Sequence, residues 1–168
     1  AHLRVSFHLV LTMSRLSPKP SEIDGSDFSI AIVAARYNEV YVDGLLKGVQ
    51  AELENAGVPP EKILVERVPG SNELPIAVQL IAKHGNYDSI VALGAIIAGG
   101  TKHYELVADS SNIGLQQVAL DTNVPVVNGV IVGDDEEQVK DRCVGSIPKG
   151  TEFGQCALQM AQLRRDYL

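Results

Sequence analysis

Ser89-Ile90-Val91-Ala92-Leu93-Gly94-Ala95-Ile96-Ile97-Ala98-Gly99-Gly100-Thr101-Lys102-His103-Tyr104 reads as a strand, a glycine turn and the start of a helix. The run Ser89 to Leu93 is almost wholly apolar, as a strand covered on both faces must be. A strand that ends in glycines and feeds a helix near Thr101 leaves free backbone N–H groups at the helix's first turn. Those groups and the helix dipole suit an anion, commonly a phosphate. The same turn carries His103, whose side-chain type changes charge nearest neutrality. An anion cradle and a proton-transfer residue in one turn make this the first candidate site.

Working outward, the pattern repeats. Before it, Phe28 to Ala34 forms a buried strand closed by Arg36-Tyr37-Asn38, with Asn38 expected as a helix N-cap. Val42, Leu45, Leu46, Val49 and Leu53 recur at helical spacing until Gly57 and Pro59-Pro60 end the helix. Ile63 to Val68 is a second core strand, stopped by Pro69-Gly70. Ser71-Asn72-Glu73-Leu74-Pro75 then opens a helix with Ile76, Ala77, Leu80 and Ile81 expected on its buried face and His84-Gly85 at its end. After the quoted stretch, the helix runs through Val107, Leu115, Val118 and Leu120 to about Asn123. Val124 to Val132 is a fourth strand, and Asp134-Asp135-Glu136-Glu137 starts a helix with acids where the dipole favours them. A break at Gly145 to Gly150 precedes a last helix, expected to bury Phe153, Cys156, Ala157, Met160 and Leu163.

Strands alternating with helices predict a parallel sheet covered on both faces, a three-layer α/β/α sandwich with a central four-stranded parallel sheet. In such sheets ligands bind outside the carboxyl ends of the strands. That rule gathers Arg36-Tyr37-Asn38, Gly70-Ser71-Asn72-Glu73, the glycine turn with His103, and Asn128 along one edge.

The 168 residues suit one domain, and a 45% hydrophobic content is that of a globular chain. A formal charge of -7 without a basic stripe argues against a nucleic-acid surface. Cys143 and Cys156 lack zinc-site spacing and read as reduced, small buried apolar groups. No apolar run reaches the roughly 18 residues a membrane span needs, and cytoplasm is the expected location. Residues 1–27 read as an N-terminal arm and 28–168 as the domain. Met13-Ser14 is expected as the genuine start, with 1–12 set ahead of it and outside the fold.

The loops resemble the lumazine synthase family. The matching stretches are Ala35 to Asn38, Val68 to Pro75, Ala92-Leu93-Gly94 leading to Gly99 to Tyr104, Val124 to Val130, and Glu137-Gln138 leading to Arg142. The resemblance spans about Ile30 to Leu163. It implies a flavodoxin-like fold and a transferase that joins 5-amino-6-ribitylaminopyrimidinedione to 3,4-dihydroxy-2-butanone 4-phosphate without a cofactor or metal. The product, 6,7-dimethyl-8-ribityllumazine, belongs to the penultimate step of riboflavin biosynthesis. On this resemblance His103 would be catalytic, shuttling protons. Gly100, Thr101 and, from a neighbouring subunit, Arg142 would hold the phosphate. Tyr37 would stack on the pyrimidine ring, Ser71, Asn72 and Glu73 would bind the ribityl chain, and Lys149 would lie near the site. Asn38, Ala95, Ile96, Ile97 and Asn128 complete the implied substrate-binding set.

The family forms pentamers, and in some members twelve pentamers make a hollow capsid. The arm at Ser17 to Ile23 fits a strand lent to a neighbour. There are departures. Asn72 stands where the family usually has a large apolar or aromatic residue, Asn128 where it has an aromatic, and Ala98 where it has Arg or Lys. The loop Val144 to Gly150 is one residue short. These keep a second reading open: a non-catalytic or divergent paralogue that binds a flavin- or lumazine-like ligand, or an assembly or shell protein.

Overall fold

The computed structural model describes Lys19 and residues 22–168. In chain order the elements are β1 (Ile30–Ala35), α1 (Glu39–Asn55), β2 (Ile63–Val68), α2 (Leu74–His84), β3 (Ser89–Ile97), α3 (His103–Thr122), β4 (Val126–Gly133), α4 (Glu136–Cys143) and α5 (Lys149–Tyr167). Single 3₁₀ turns at Pro60–Lys62 and Ser71–Glu73 precede β2 and α2. The four strands are all parallel in the order β2-β1-β3-β4. This is the expected flavodoxin-like, three-layer sandwich.

Strand periodicity sorts the core into two layers. Ile30, Ile32, Ala34, Val91, Leu93, Ala95, Val127 and Ile131 face α1, α4 and α5, meeting Val42, Leu45, Val49, Val139 and Ala157. Ala31, Val33, Ile90 and Ala92 face α2 and α3, meeting Leu74, Val78, Leu115 and Val118. All six residues of β1 are buried, as are the first eight of β3, which is why both read as continuous apolar runs. β2 lies at one edge and is only half-buried, so it is not the core strand the sequence suggests.

The amino-terminal end of the sheet is locked by one buried carboxylate. Asp88, 3% exposed, accepts the Ser29 N–H at 2.8 Å and a two-point bond from Arg165, with Arg164 3.9 Å away. The Arg165 guanidinium also lies over the Phe28 ring, 5.9 Å from its centre. One side chain thereby ties the start of β3 to the residue before β1 and to the end of α5.

Several helix faces differ from expectation. Leu74, Ala77, Val78 and Ile81 make the inward stripe of α2, whereas Ile76 and Leu80 are exposed. On α3, Leu120 is exposed, as are Leu106 and Ile113 at intervals of seven. On α5 the buried residues are Gly150, Gly154, Ala157, Leu158 and Ala161. Cys156 and Leu163 are exposed, and Phe153 and Met160 are only partly covered. Close approach of α5 to α1 explains the shift: a Cβ on Gly150 would lie 2.5 Å from the Leu45 carbonyl oxygen. Cys143 is buried as expected, and burial pushes its thiol up to about 11.

β4 starts at Val126, two residues later than expected. Among the described residues no helix is long and apolar enough to cross a membrane. Most of the arm lies outside the described residues. Of its described part, Ile23 packs on this chain's own core and the Gly25 N–H donates to the Ala56 carbonyl at 2.7 Å.

Candidate active site

The chain leaves β1 toward β2 on one side, while β3 lies on the other. The crevice between the carboxyl ends of β1 and β3 is therefore the topological switch point, where open α/β sheets bind ligands. A cleft of about 880 Å³ opens there. Its lining comes from Tyr37 and Asn38 after β1, Gly70 to Glu73 after β2, Ala95 to Ile97 at the end of β3 with Gly99 beyond it, and Thr101, His103, Tyr104, Leu106, Val107 and Ser110 leading along α3.

Backbone and side-chain ties fix this edge. The Tyr37 N–H donates to the Pro69 carbonyl at 3.1 Å, and the Ala98 N–H to that of Gly133 at 2.9 Å. Asn38 sits in the left-handed region, at φ 55 and ψ 43, and its side chain makes no cap bond. Instead Nδ2 donates to the Ala95 carbonyl at 2.8 Å. Asn38 thus holds the expected N-cap position of α1, but its side chain straps the β1 loop to β3 instead of capping the helix.

The β2 loop is built by Glu73. Its Oε2 accepts the Gly70 N–H at 2.9 Å, closing the 3₁₀ turn on itself. A Cβ on Gly70 would approach Tyr37 Cδ2 to 3.2 Å, so glycine lets the Tyr37 ring lie against this turn. Tyr37 is otherwise 74% exposed and offers a face to a planar ligand. Ser71 is buried at the cleft wall. Its Oγ occupies space that any Cβ on Gly94 would invade at 2.3 Å.

At the first turn of α3, Thr101 Oγ1 accepts the His103 N–H at 3.4 Å. His103 is exposed and lines the cleft, where its imidazole can exchange protons with a bound ligand. A Cβ on Gly99 or Gly100 would meet nothing within 4 Å. Packing inside the chain does not require these glycines, and the open space in front of them suits an anion at the helix N-terminus.

Of the residues singled out from sequence, Tyr37, Asn38, Ser71, Asn72, Glu73, Ala95, Ile96, Ile97, Thr101 and His103 line this cleft, with Gly100 between two lining residues. Asn128, Arg142 and Lys149 do not. Asn128 pairs in register with Ala92, well before the carboxyl edge, because β4 continues to Gly133. Its Nδ2 donates to Asn112 Oδ1 on α3 at 2.7 Å. Arg142 donates to the Gln138 carbonyl at 2.8 Å rather than pairing with Glu136 or Glu137, and Lys149 pairs with Glu152 at 2.7 Å. Among the described lining residues there is no lysine or arginine, and Lys102 stands outside the lining. Tyr104, Leu106, Val107 and Ser110 were missed by sequence reasoning. The spacing 103, 106, 107, 110 is one helical stripe, a signal that could have found all but Tyr104. No group of three His, Cys, Asp or Glu among the described residues could hold a metal ion.

A model of the 6,7-dimethyl-8-ribityllumazine synthase family matches residues 27–165. Relatives bearing that name occur in Cupriavidus pinatubonensis (44% identical, covering 86% of this chain and 84% of the relative) and Cupriavidus necator (43%, 86% and 85%). Another, in Azoarcus sp. strain BH72, is 36% identical over 85% of this chain and 90% of its own length. With the match running from before β1 to the end of α5, the chain belongs to the 6,7-dimethyl-8-ribityllumazine synthase family.

Proposed function

We propose that this protein is a transferase condensing 5-amino-6-ribitylaminopyrimidinedione with 3,4-dihydroxy-2-butanone 4-phosphate to 6,7-dimethyl-8-ribityllumazine, the penultimate step of riboflavin biosynthesis. The observation that carries the reading is the cleft itself. It joins an exposed aromatic face, a hydrogen-bonding turn and a glycine-rich helix start bearing an imidazole. Those are the needs of a planar amine, a polyol chain and a phosphate.

Tyr37 stacks on the pyrimidine ring. Ser71, Asn72 and Glu73 meet the ribityl chain, with Asn38 and Ala95 to Ile97 forming the floor. The N–H groups at Gly100 and Thr101 take the phosphate, and His103 moves protons as the imine forms and phosphate leaves. The chemistry is cofactor-free, because imine formation, elimination and ring closure need only proton transfers.

A phosphate dianion bound without a cation in the lining would be poorly neutralised. Arg142 supplies the charge from a second copy of the chain, bidentately. The exposed stripes Leu106, Ile113 and Leu120 on α3, and Ile76 and Leu80 on α2, are surfaces that a pentamer would cover. Cytoplasmic location belongs to the same reading.

Mixing the purified protein with both substrates and following lumazine fluorescence tests the activity. The expected result is a rate clearly above the uncatalysed reaction in buffer; a rate equal to buffer from an assembled oligomer overturns it. The shared site has its own check. Arg142→Ala should raise the KM for the sugar phosphate about tenfold, the scale of a lost charged hydrogen bond. Co-refolding it with the His103→Ala protein should recover activity at low sugar phosphate, since some mixed sites then hold both intact residues. No recovery on mixing would place Arg142 and His103 in the same subunit's site.

A further inference from the structure

Ser110 and Asn72 meet across the cleft, one on α3 and the other on the turn before α2. Ser110 Oγ lies 3.2 Å from Asn72 Oδ1, and Asn72 Nδ2 lies 3.5 Å from Glu73 Oε1. The two contacts orient the amide from both ends. A hydroxyl donor faces the carbonyl oxygen and a carboxylate faces the NH₂. Turning the amide over would set its oxygen against the Glu73 carboxylate and leave Ser110 to accept from the NH₂ instead of donating. Glu73 is itself fixed, because its other oxygen holds the Gly70 N–H. Asn72 therefore keeps one N–H for Glu73 and has a second for whatever fills the cleft.

The geometry points to Ser110 as a positioning residue that makes Asn72 a hydrogen-bond donor selecting for a ligand acceptor, a carbonyl or hydroxyl oxygen. This deepens the proposed function and rests on it for the identity of the ligand. The Ser110 hydroxyl has one proton and a competing acceptor, the Val107 carbonyl of its own helix at 3.3 Å. A ligand oxygen on the Asn72 NH₂ polarises the amide, strengthens its carbonyl as acceptor and draws the proton toward Asn72. Both side chains are exposed in the open cleft. Covering them with ligand removes the competing water, so the orientation matters most in the complex. The arrangement gives the asparagine at position 72 a role in ligand choice that an apolar side chain could not fill.

The test uses the full chain with two readouts, steady-state kinetics and equilibrium binding of 6,7-dimethyl-8-ribityllumazine followed by its own fluorescence. Ser110→Ala should weaken lumazine binding and raise the KM for the pyrimidinedione about three- to tenfold, leaving kcat and the KM for the sugar phosphate unchanged. Ser110→Thr should restore both values. Asn72→Ala should show the same loss, and the double variant should be no worse than Asn72→Ala alone. Additive losses, or a Ser110→Ala protein identical to the parent, would overturn the assignment while leaving the synthase reading intact. If the parent binds lumazine without forming it, and Ser110→Ala loosens that binding, the positioning role holds and the synthase reading falls. A parent that neither binds nor forms lumazine overturns both.

Discussion

Replacing His103 with alanine lowers the rate of lumazine formation by about a hundredfold, at the low end of what a positioned acid–base group contributes. The imidazole lines the cleft at the first turn of α3, beside the glycines proposed to hold phosphate. Phosphate elimination needs a proton removed from carbon and imine formation needs protons moved between nitrogen and oxygen. No other imidazole lines the cleft among the described residues. Glu73, the carboxylate in the lining, is committed through one oxygen to the Gly70 N–H. Because His103 is exposed and makes no packing contact that the core depends on, the variant should melt at the same temperature as the parent. The measured quantity is the enzyme-dependent rate after subtraction of the buffer rate, at saturating levels of both substrates. A residual rate within a factor of two of the parent would show that protons travel by another route, through Tyr104 or water.

The second large effect is on stability. Asp88→Ala costs about 2 kcal/mol, the scale of losing a buried carboxylate's charged hydrogen bonds to a half-exposed arginine and a backbone N–H. The change strands the Ser29 N–H, breaks the tie between the start of β3 and Arg165 near the end of α5, and leaves Arg164 without its counter-charge. Burial by itself would raise the Asp88 carboxyl. The bonds from Arg165 and the Ser29 N–H, with the charges of Arg165 and Arg164, outweigh it and hold the group below the ordinary range. The sign follows. A carboxyl depressed in the folded state contributes its stability above its unfolded value, about pH 4, and loses it as pH falls through the folded value. The gap in urea midpoint between parent and variant, at one fixed protein concentration, should therefore be full at pH 7 and shrink below about pH 4. A gap that persists at pH 3 would mean that the loss comes from packing and not from the charge.

The sheet was legible because β1 and β3 are covered on both faces and so are written as unbroken apolar runs. The helix faces were harder to read. On α2 and α3 there are two apolar stripes, one meeting the sheet and one outside it, and periodicity cannot say which faces this chain's own core. Ile76, Leu80 and Leu120 fell on the wrong side for that reason. The site was legible where it is made of loops at strand ends, which the switch-point rule collects without knowledge of packing. Asn128 misled because its distance from the carboxyl edge depends on how far β4 runs beyond it. Arg142, expected from a neighbouring subunit, stands outside this chain's own cleft, and Lys149 is taken up by Glu152 at the start of α5. Ser110 went unnoticed because it lies two turns into a helix, where only the stripe from His103 reveals it.

β3 runs from beside the Asp88 lock to the cleft, nine residues that at about 3.3 Å each put the two ends more than 25 Å apart. At that separation substitutions at the two ends should combine additively, with little energetic cross-talk. The loops at the carboxyl end can therefore vary without drawing on the interactions at the amino-terminal end that keep the protein folded. Margin gained at the amino-terminal end would in turn let the carboxyl end tolerate costlier changes. A scaffold divided in this way is well placed to acquire new specificities by drift at one edge alone.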